Sequence, residues 1–404
     1  MLSSAIKNPK KEVFGGGGAA EGSCTSPWHV KQVNLWTTNM TLLGHQTTPD
    51  GSIVDADGKL VVLSENRFIS DICEGDNCFI CGLNRSKTPF NDEHVIPDWM
   101  LKDLNLHNEH VRLGNETNFR YSQYKIPCCA SCNTLMGRDI EPPIKSLLSK
   151  SAAEIDEHLR REGAHLLYSW LALMFFKVHL CNRSFRMDRN QKNVSKQIAD
   201  HYEWHSFYIL HCIARSFYTS VHLSNNAMGS LFVLPCRTID VTENFDFCAL
   251  YSQFSMFIRF RRVAIYISFY DACIGVNLME TLLQRIEMSA DGLNEIQAWE
   301  VFSELTESSS RLVKRPKFSI VEATDNEQYL VHMELDTPNS LRPRNAALRG
   351  EILYRGIRGK LQNIEISGAR DVDAEELVRR GTISFLLDES GSLIPANTLR
   401  SNRK

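Results

Sequence analysis

The residues best suited to chemistry are four cysteines arranged as two Cys-x-x-Cys pairs. The first pair spans residues 78–81 and the second spans residues 129–132. Two such pairs, brought together by the fold, supply four thiolates in the tetrahedral arrangement that a structural zinc site needs. The predicted zinc ligands are Cys78, Cys81, Cys129 and Cys132. Cys73 and Cys128 are substitutes with less usual spacings, and four unrelated buried cysteines are the alternative interpretation.

A second pattern lies between and directly after the cysteine pairs. Glu93 and His94 precede Val-Ile-Pro, and Asn133 directly follows the last cysteine. With the bracketing cysteine pairs, this arrangement resembles the HNH, or ββα-metal, endonuclease family over about residues 73–145. The resemblance implies a small fold in which a β-hairpin and a helix wrap around a metal. It also implies that His94 is the general base, and that Glu93 and Asn133 hold the catalytic ion, usually Mg²⁺.

The chemistry of these residues suits phosphodiester hydrolysis on its own terms. A histidine with a pKa near neutrality is a natural base for the attacking water. Mg²⁺ and Mn²⁺ prefer oxygen ligands such as the Glu93 carboxylate and the Asn133 amide oxygen, whereas thiolates prefer zinc. The candidate ligands therefore form two sets: soft thiolates for a structural zinc ion and hard oxygen ligands for a catalytic ion. The alternative is that His94 is a packed histidine in a zinc-ribbon DNA-binding module.

One position departs from the family pattern. The family usually has an Asn nine residues before the second metal ligand, where it orients the histidine. That position is Tyr124 here, with Gln123 beside it, and either side chain could form a hydrogen bond. The stretch between His94 and Asn133 is also longer than in minimal members of the family, as if a loop around residues 102–118 were inserted.

The elements that must position these residues fall into four stretches. Residues 1–25 contain a four-glycine run and are predicted to be a flexible tail. Residues 26–72 alternate short β-like runs with turn residues and are predicted to be a β-rich extension. Residues 73–145 form the HNH-like module, and residues 146–404 form a larger α+β region. The predicted fold class is therefore α+β, with a zinc-supported ββα-metal module between the two other regions.

Hydrophobic periodicity predicts the elements of the C-terminal region. Predicted helices cover residues 166–180, 209–221, 278–288 and 294–305. Predicted strands cover residues 231–234, 257–269 and 318–321. The last stretch, 330–404, is predicted to mix short strands with glycine and arginine. Because the pattern changes after about residue 150, we expect the HNH-like module and the C-terminal region to have separate cores, with helix 166–180 buried in the latter.

Composition excludes several classes of protein. The chain has 404 residues, of which 43% are hydrophobic and 23% charged, as in an ordinary globular protein. Its most apolar run, 166–176, is shorter than the roughly 20 residues that span a bilayer, and no signal core follows the N-terminus. We therefore expect a cytoplasmic protein with no membrane partner. In that reducing compartment the 12 cysteines are not expected to form disulfides.

Contacts to nucleic acid must be local, because the formal net charge is −3. Arg138 follows Asn133 by five positions on the predicted helix and is a candidate phosphate contact. Arg355 and Arg358 belong to a basic run from Arg342 to Lys360 and are further candidates. The alternative for that run is a solvated charged surface.

The sequence predicts a metal-dependent endonuclease that acts on DNA, in restriction or phage defence. Its cofactors are a structural Zn²⁺ and a catalytic Mg²⁺ or Mn²⁺, and its C-terminal region could take an activating ligand or a partner protein. A non-catalytic, zinc-dependent scaffold for DNA or a protein partner is the alternative. An unrelated metabolic enzyme with a zinc appendix has no glycine-rich nucleotide motif in its favour.

Overall fold

The computed structural model places most of the chain in a mixed α+β fold, which confirms the predicted class. It describes residues 44–188, 196–219, 221–224, 226–237, 244–289, 292–323, 328–336, 338–361 and 371–397. The predicted tail, 1–25, and the first part of the predicted extension, 26–43, lie outside the described residues.

The described part of the N-terminal extension is a small three-stranded antiparallel sheet followed by a helical turn. Its elements are β1 (Gln46–Thr47), β2 (Ile53–Val54), β3 (Leu60–Val62) and α1 (Glu65–Arg67). The turn between β2 and β3 contains Gly58 at φ +78°, a left-handed conformation that glycine adopts without a steric penalty. A π-helical segment, Phe68–Cys73, then leads into the first cysteine pair.

The central stretch is a strand–strand–helix unit with a long insertion between its strands. Strand β4 (Phe90–His94) pairs antiparallel with β7 (Lys125–Cys129), and α3 (Ala130–Asp139) follows β7 directly. The insertion carries α2 (Asp98–Asp103), β5 (His110–Arg112) and β6 (Asn118–Arg120). Helix α4 (Glu141–Leu148) closes the stretch. Glu93 and His94 thus lie at the end of a strand, and Asn133 lies in the first turn of the next helix.

Three helices follow, and the middle one is the most buried in this part of the chain. They are α5 (Ala152–Glu162), α6 (His165–Cys181) and α7 (Tyr208–Ala214). Helix α6 confirms the predicted helix 166–180, but the predicted helix 209–221 is wrong beyond Ala214. The chain turns at Arg215, and Val221 lies in β8 (Val221–Leu223) paired with Tyr329. The four-residue spacing of apolar side chains continues past the turn, although the helix does not. Val221 is apolar because it is buried against a distant strand.

Two sheets form the middle of the C-terminal region. The first is antiparallel in the order β10-β11-β12-β9, built from β9 (Ser230–Pro235), β10 (Phe245–Leu250), β11 (Ser255–Phe260) and β12 (Val263–Ser268). The predicted strand 257–269 is therefore two strands, joined by a turn with Arg261 at φ +55°. Both strands are buried on both faces, so no polar alternation marked the turn. The second sheet joins β13 (Lys317–Ala323), β14 (Gln328–Glu334) and the parallel strand β8.

In the described part of the C-terminal region, four helices follow the strands or lie between them. They are α8 (Ile274–Glu287), α9 (Glu295–Ser310), α10 (Ala346–Ile357) and α11 (Asp371–Arg379). The predicted short strands of 330–404 are wrong over α10 and α11. The glycines of α10 do not break the helix. Gly356 allows close packing, because a Cβ at this position would lie 2.1 Å from the Trp299 ring.

Among the residues that the structure describes, the buried side chains form two hydrophobic cores. The first runs from Leu60 to Met333 and includes α6 together with both cysteine pairs, so it crosses the expected boundary near residue 145. The second joins one face of the four-stranded sheet to α8, α9, α10 and the segment around Phe385. No single helix among the described residues has the length and apolar composition to cross a membrane. One pair of consecutive helical segments, Ala152–Glu162 and His165–Ser184, has them jointly, but the pair is bent by 111°.

Candidate functional site

The four predicted zinc ligands come together, as expected. Their sulfur atoms all lie within 4.8 Å of one another, and the Sγ atoms of Cys81 and Cys129 are 3.6 Å apart. A tetrahedral zinc ion about 2.3 Å from each sulfur sets the sulfur–sulfur separations at about 3.8 Å. The group is buried and matches the donor set and size of a structural zinc site.

Local structure presents the two pairs in different ways. The first pair lies in a loop where the amide of Gly82 donates to the carbonyl of Cys78 at 2.8 Å, with Gly82 at φ +74°. In the second pair Cys129 caps α3, and its sulfur accepts a hydrogen bond from the amide of Cys132 at 3.4 Å. Hydrogen bonds from the Cys128 thiol, the Ser131 hydroxyl and the Cys132 amide lower the pKa of Cys129 to about 5, which favours the thiolate that zinc binds.

The two substitute cysteines differ in position. Cys128 is buried, and its sulfur lies 3.8 Å from that of Cys78, at the edge of the four-cysteine group. Cys73 is buried at the end of the π-helical segment, and burial raises the pKa of its thiol. Among the described residues, the group of four with mutually close sulfurs contains neither of them.

Helix α7 and the turn after it hold the first cysteine pair through its backbone. His211 Nε2 donates to the carbonyl of Phe79 at 2.7 Å, and Arg215 Nη2 donates to the carbonyl of Leu60 at 2.8 Å. Arg215 Nε also donates to the carbonyl of Ile80. The Arg215 side chain is therefore a buried cation between the N-terminal sheet and the cysteine pair, with only 1% exposed.

Arg215 supports the metal assignment through its charge. Burial lowers its pKa, and the anionic forms of Cys212 and Tyr218, followed by those of Cys81 and Cys132, oppose that shift. A buried cation is stable only beside a compensating negative charge. Four thiolates around one Zn²⁺ carry a net charge of about −2. A zinc-loaded cluster would supply that anion, whereas four neutral thiols would not.

Glu93 faces the interior and pairs with a lysine from α6. Lys177 Nζ lies 2.7 Å from Glu93 Oε1 and also donates to the carbonyl of His94 at 2.8 Å. The two side chains are only 9% and 2% exposed, so this is a buried ion pair. The pairing holds the end of β4 against α6. Lys177 contacts the Oε1 atom of Glu93, and Oε2 is the second oxygen of this carboxylate.

His94 lies in a cluster with Asp98 and His107 from the insertion. Asp98 Oδ1 is 2.8 Å from His107 Nε2 and 4.0 Å from His94 Nε2, and the three ligand atoms are close enough to hold a metal ion. The other Asp98 oxygen lies 2.5 Å from Lys102 Nζ. Burial, with the charge of Lys125 across the hairpin, lowers the pKa of His94.

Asn133 lies over the β4–β7 hairpin. Its Nδ2 donates to Asn91 Oδ1 at 2.8 Å. Alternate residues of a strand share a face, so Glu93 projects on the same side of β4 as Asn91. The Asn91–Asn133 hydrogen bond is exposed, whereas Glu93 is buried two strand positions further along β4.

Tyr124 is buried among aromatic rings. Its ring centroid lies 6.2 Å from that of Phe185 and 6.5 Å from that of Phe119, and burial raises the pKa of its hydroxyl well above the usual value. Its carbonyl accepts a hydrogen bond from the amide of Val95, one residue after His94. Tyr124 therefore supports the histidine through the backbone and through packing. Asp98 approaches the imidazole directly.

The three arginines proposed for DNA contact all have carboxylate partners. Arg138 is exposed on α3 and forms a bidentate pair with Asp139. Arg355 Nε lies 3.2 Å from Glu351 Oε1, and Arg358 forms an ion pair with Glu116 in the turn between β5 and β6.

Sequence reasoning missed the partners of the site. Asp98 could have been found, since it lies four residues after His94 and opens α2. Lys177 lies 84 positions after Glu93 and Arg215 lies 135 positions after Ile80, and no local pattern connects them to the motif. Comparisons with protein-family models, with curated proteins and with solved structures find no match for this chain.

Proposed function

We propose that the chain is a metal-dependent endonuclease whose active site is the end of the β4–β7 hairpin. One observation carries the proposal: a strand–strand–helix unit lies against a four-cysteine cluster, with Glu93 and His94 at a strand end and Asn133 in the first turn of the helix. This is the order and placement that the HNH resemblance implies for the base and the metal ligands.

His94 is suited to act as the general base. Its lowered pKa keeps the imidazole neutral at pH 7, so it can accept a proton from water. The resulting hydroxide forms a bond to phosphorus while the bond to the leaving oxygen of the phosphodiester breaks. Asp98, at 4.0 Å from Nε2, would stabilise the imidazolium that forms.

Glu93 Oε2 and the amide oxygen of Asn133 are the hard ligands available to Mg²⁺ or Mn²⁺ on that side of the hairpin. Such an ion would neutralise charge that develops on the phosphate. Lys177 compensates the charge of Glu93 through Oε1, so this pair is neutral before an ion binds. DNA is the proposed substrate, and restriction or phage defence is the proposed setting.

The test is cleavage of supercoiled plasmid by the full-length, zinc-loaded protein with Mg²⁺ or Mn²⁺. We expect His94→Ala to reduce the cleavage rate by about 100-fold or more, because general bases contribute 10²- to 10⁴-fold. His110→Ala is the matched control, since His110 is exposed on β5 and outside the cluster. Zinc content and DNA affinity should stay unchanged in both variants.

A non-catalytic zinc-dependent scaffold for DNA or a protein partner is the second candidate. The Lys177–Glu93 pair favours it, because a carboxylate that already has a buried cation needs no second one. The scaffold predicts that DNA binds in an electrophoretic shift assay while wild type, His94→Ala and His110→Ala all fail to cut with any divalent ion. Cleavage by wild type that His94→Ala loses would exclude it.

A further inference from the structure

An open cavity lies in the C-terminal region, well separated in sequence from the cysteine pairs. It has a volume of about 310 Å³ and lies between the C-terminal end of α9, the segment before β11 and the loop that precedes α10. Its polar lining includes Arg311, Arg315, Arg342, Ser310, Asn345 and Glu307. The volume is at the lower end of the range for sites that bind small molecules.

Three guanidinium groups line this cavity without a carboxylate partner. Among the described residues, no carboxylate oxygen lies within 4.0 Å of Arg311, Arg315 or Arg342, although ion pairs are frequent elsewhere in this region. Two of the groups are held by backbone carbonyls. Arg311 Nε donates to the carbonyl of Arg342 at 3.0 Å, and Arg315 Nη2 donates to the carbonyl of Ser252 at 2.9 Å. Their remaining N–H groups can therefore donate to a ligand.

The arginines that lie next to the cavity in sequence behave differently. Arg344 Nη2 donates to both carboxylate oxygens of Glu304, and Arg349 pairs with Glu300 and Glu304. Glu307 is the only acid in the described lining, and its Oε1 already accepts a hydrogen bond from the amide of Asn345 at 2.7 Å. The cavity thus combines three positive charges with one negative charge.

Helix α10 adds to this positive potential. Asn345 caps the 12-residue helix by accepting from the amide of Leu348, and both residues line the cavity. The N-terminus of a helix carries a partial positive charge and unpaired amide donors. The helix end and the arginines are separate features of the chain that favour the same kind of ligand.

We propose that this cavity binds a small molecule that carries phosphate groups. Guanidinium groups bind phosphate oxygens through paired N–H donors, and three of them match an anion with more than one phosphate. The concave shape favours a small ligand over a duplex, whose backbone would contact only the rim. This proposal is independent of the proposed nuclease activity.

The test is isothermal titration of the full-length, zinc-loaded protein with pyrophosphate, without added divalent ion and with zinc content checked before and after. Arg342→Ala should weaken binding about tenfold, because it removes one guanidinium whose side chain has no carboxylate partner in the described structure. Lys314→Ala is the matched control: it removes the same charge nearby, but Lys314 pairs with Asp336 and does not line the cavity. Thermal unfolding should show that both variants are folded.

Pyrophosphate binding that weakens in Arg342→Ala and not in Lys314→Ala would support the proposal. Absence of heat with pyrophosphate, or an equal loss in both variants, would overturn it. A 20-base-pair DNA duplex is the second titrant, and binding of the duplex alone with a dependence on Arg342 would assign the cavity to nucleic acid instead.

Discussion

Two buried cations, Lys177 and Arg215, lie beside the groups on which the proposed chemistry depends. Lys177 is paired with Glu93, and Arg215 lies behind the first cysteine pair. A buried ion costs several kcal/mol of desolvation unless a partner of opposite charge compensates it. Lys177 has the Glu93 carboxylate as its partner, and thiolates of the four-cysteine cluster, which could bind zinc, would supply negative charge near Arg215.

Replacing Lys177 by Met should destabilise the protein by roughly 3–5 kcal/mol, because it leaves the Glu93 carboxylate buried without a partner. If Glu93 binds a divalent ion, added Mg²⁺ should restore part of that loss, and it should stabilise the variant more than the wild type. Urea denaturation with and without Mg²⁺ measures both effects. Lys145→Met is the control, since Lys145 forms an exposed pair with Asp103 and should change stability by less than about 1 kcal/mol.

Replacing Arg215 by Met should weaken zinc binding. The variant removes the buried cation that donates to the backbone of the first cysteine pair, so a chelator should take the metal faster than from wild type, as followed with a colorimetric zinc indicator. Arg67→Met, which removes a partly exposed arginine from an ion pair with Asp71, should leave the release rate unchanged. Equal release rates in the two variants would show that the Arg215 charge does not stabilise the cluster.

The sequence identified residues whose roles follow from local spacing and missed those that depend on distant contacts. The cysteine spacing predicted the four-thiol cluster before any fold was considered. Nothing near Glu93 in the sequence indicates Lys177, which lies 84 positions away and reaches it only after α6 packs against β7. His107 comes from the insertion and meets Asp98 only after the chain turns back at the end of α2.

Hydrophobic periodicity predicted where many helices and strands lie, but it did not predict all of their ends. Helix α9 begins one residue after Asn294, whose side chain caps it, close to the predicted start. The predicted long strand divided at Arg261, because both strands around that turn are fully buried and look continuous in sequence. Helix α10 was missed because its glycines and arginines were interpreted as part of a stretch of short strands. In the fold Gly356 admits the Trp299 ring, a contact that no local pattern reveals.

Gly356 gives a test of this packing. Gly→Ala in an exposed helix interior stabilises a protein by about 0.5–1 kcal/mol. At Gly356 the added Cβ would lie 2.1 Å from the Trp299 ring, so Gly356→Ala should instead destabilise by about 1–3 kcal/mol through overpacking. Gly137→Ala in α3 is the matched control, because no atom lies within 4 Å of its Cβ position. Urea denaturation should give opposite signs for the two variants, and equal signs would contradict the packing of α10 on α9.

At the scale of the whole molecule, the first core connects regions that the sequence suggested were separate. Residues from the N-terminal sheet, the hairpin and α6 share it, and α6 contributes both Lys177 to the hairpin and Phe176 to the rings around Phe68 and His211. The proposed active site is therefore supported by a helix outside the 73–145 window. We expect that window alone to lose the support of α6 and α7 if it is excised.

The buried histidines of this core should make the whole molecule sensitive to acid. His179 is 2% exposed among Tyr202, Tyr251, His201 and Phe175, and its Nδ1 lies 3.1 Å from the Tyr202 hydroxyl. Burial, with a smaller contribution from His201, lowers its pKa to about 3. In the unfolded chain the same group has a pKa near 6.5, so below that pH the unfolded state binds a proton that the folded state excludes.

Stability should therefore fall as the pH decreases from about 6.5 towards 3, and His179 should account for about 1 kcal/mol of the loss between pH 7 and pH 5.5. Urea denaturation of His179→Gln at the two pH values tests this, because the variant has no titrating group at that position. Whatever the cost of the substitution at pH 7, the variant should lose about 1 kcal/mol less stability than wild type on acidification. Exposed His110→Gln should lose as much as wild type. An identical pH dependence in wild type and His179→Gln would mean that His179 is accessible to protons in the folded protein and that α6 is packed less tightly than the structure describes.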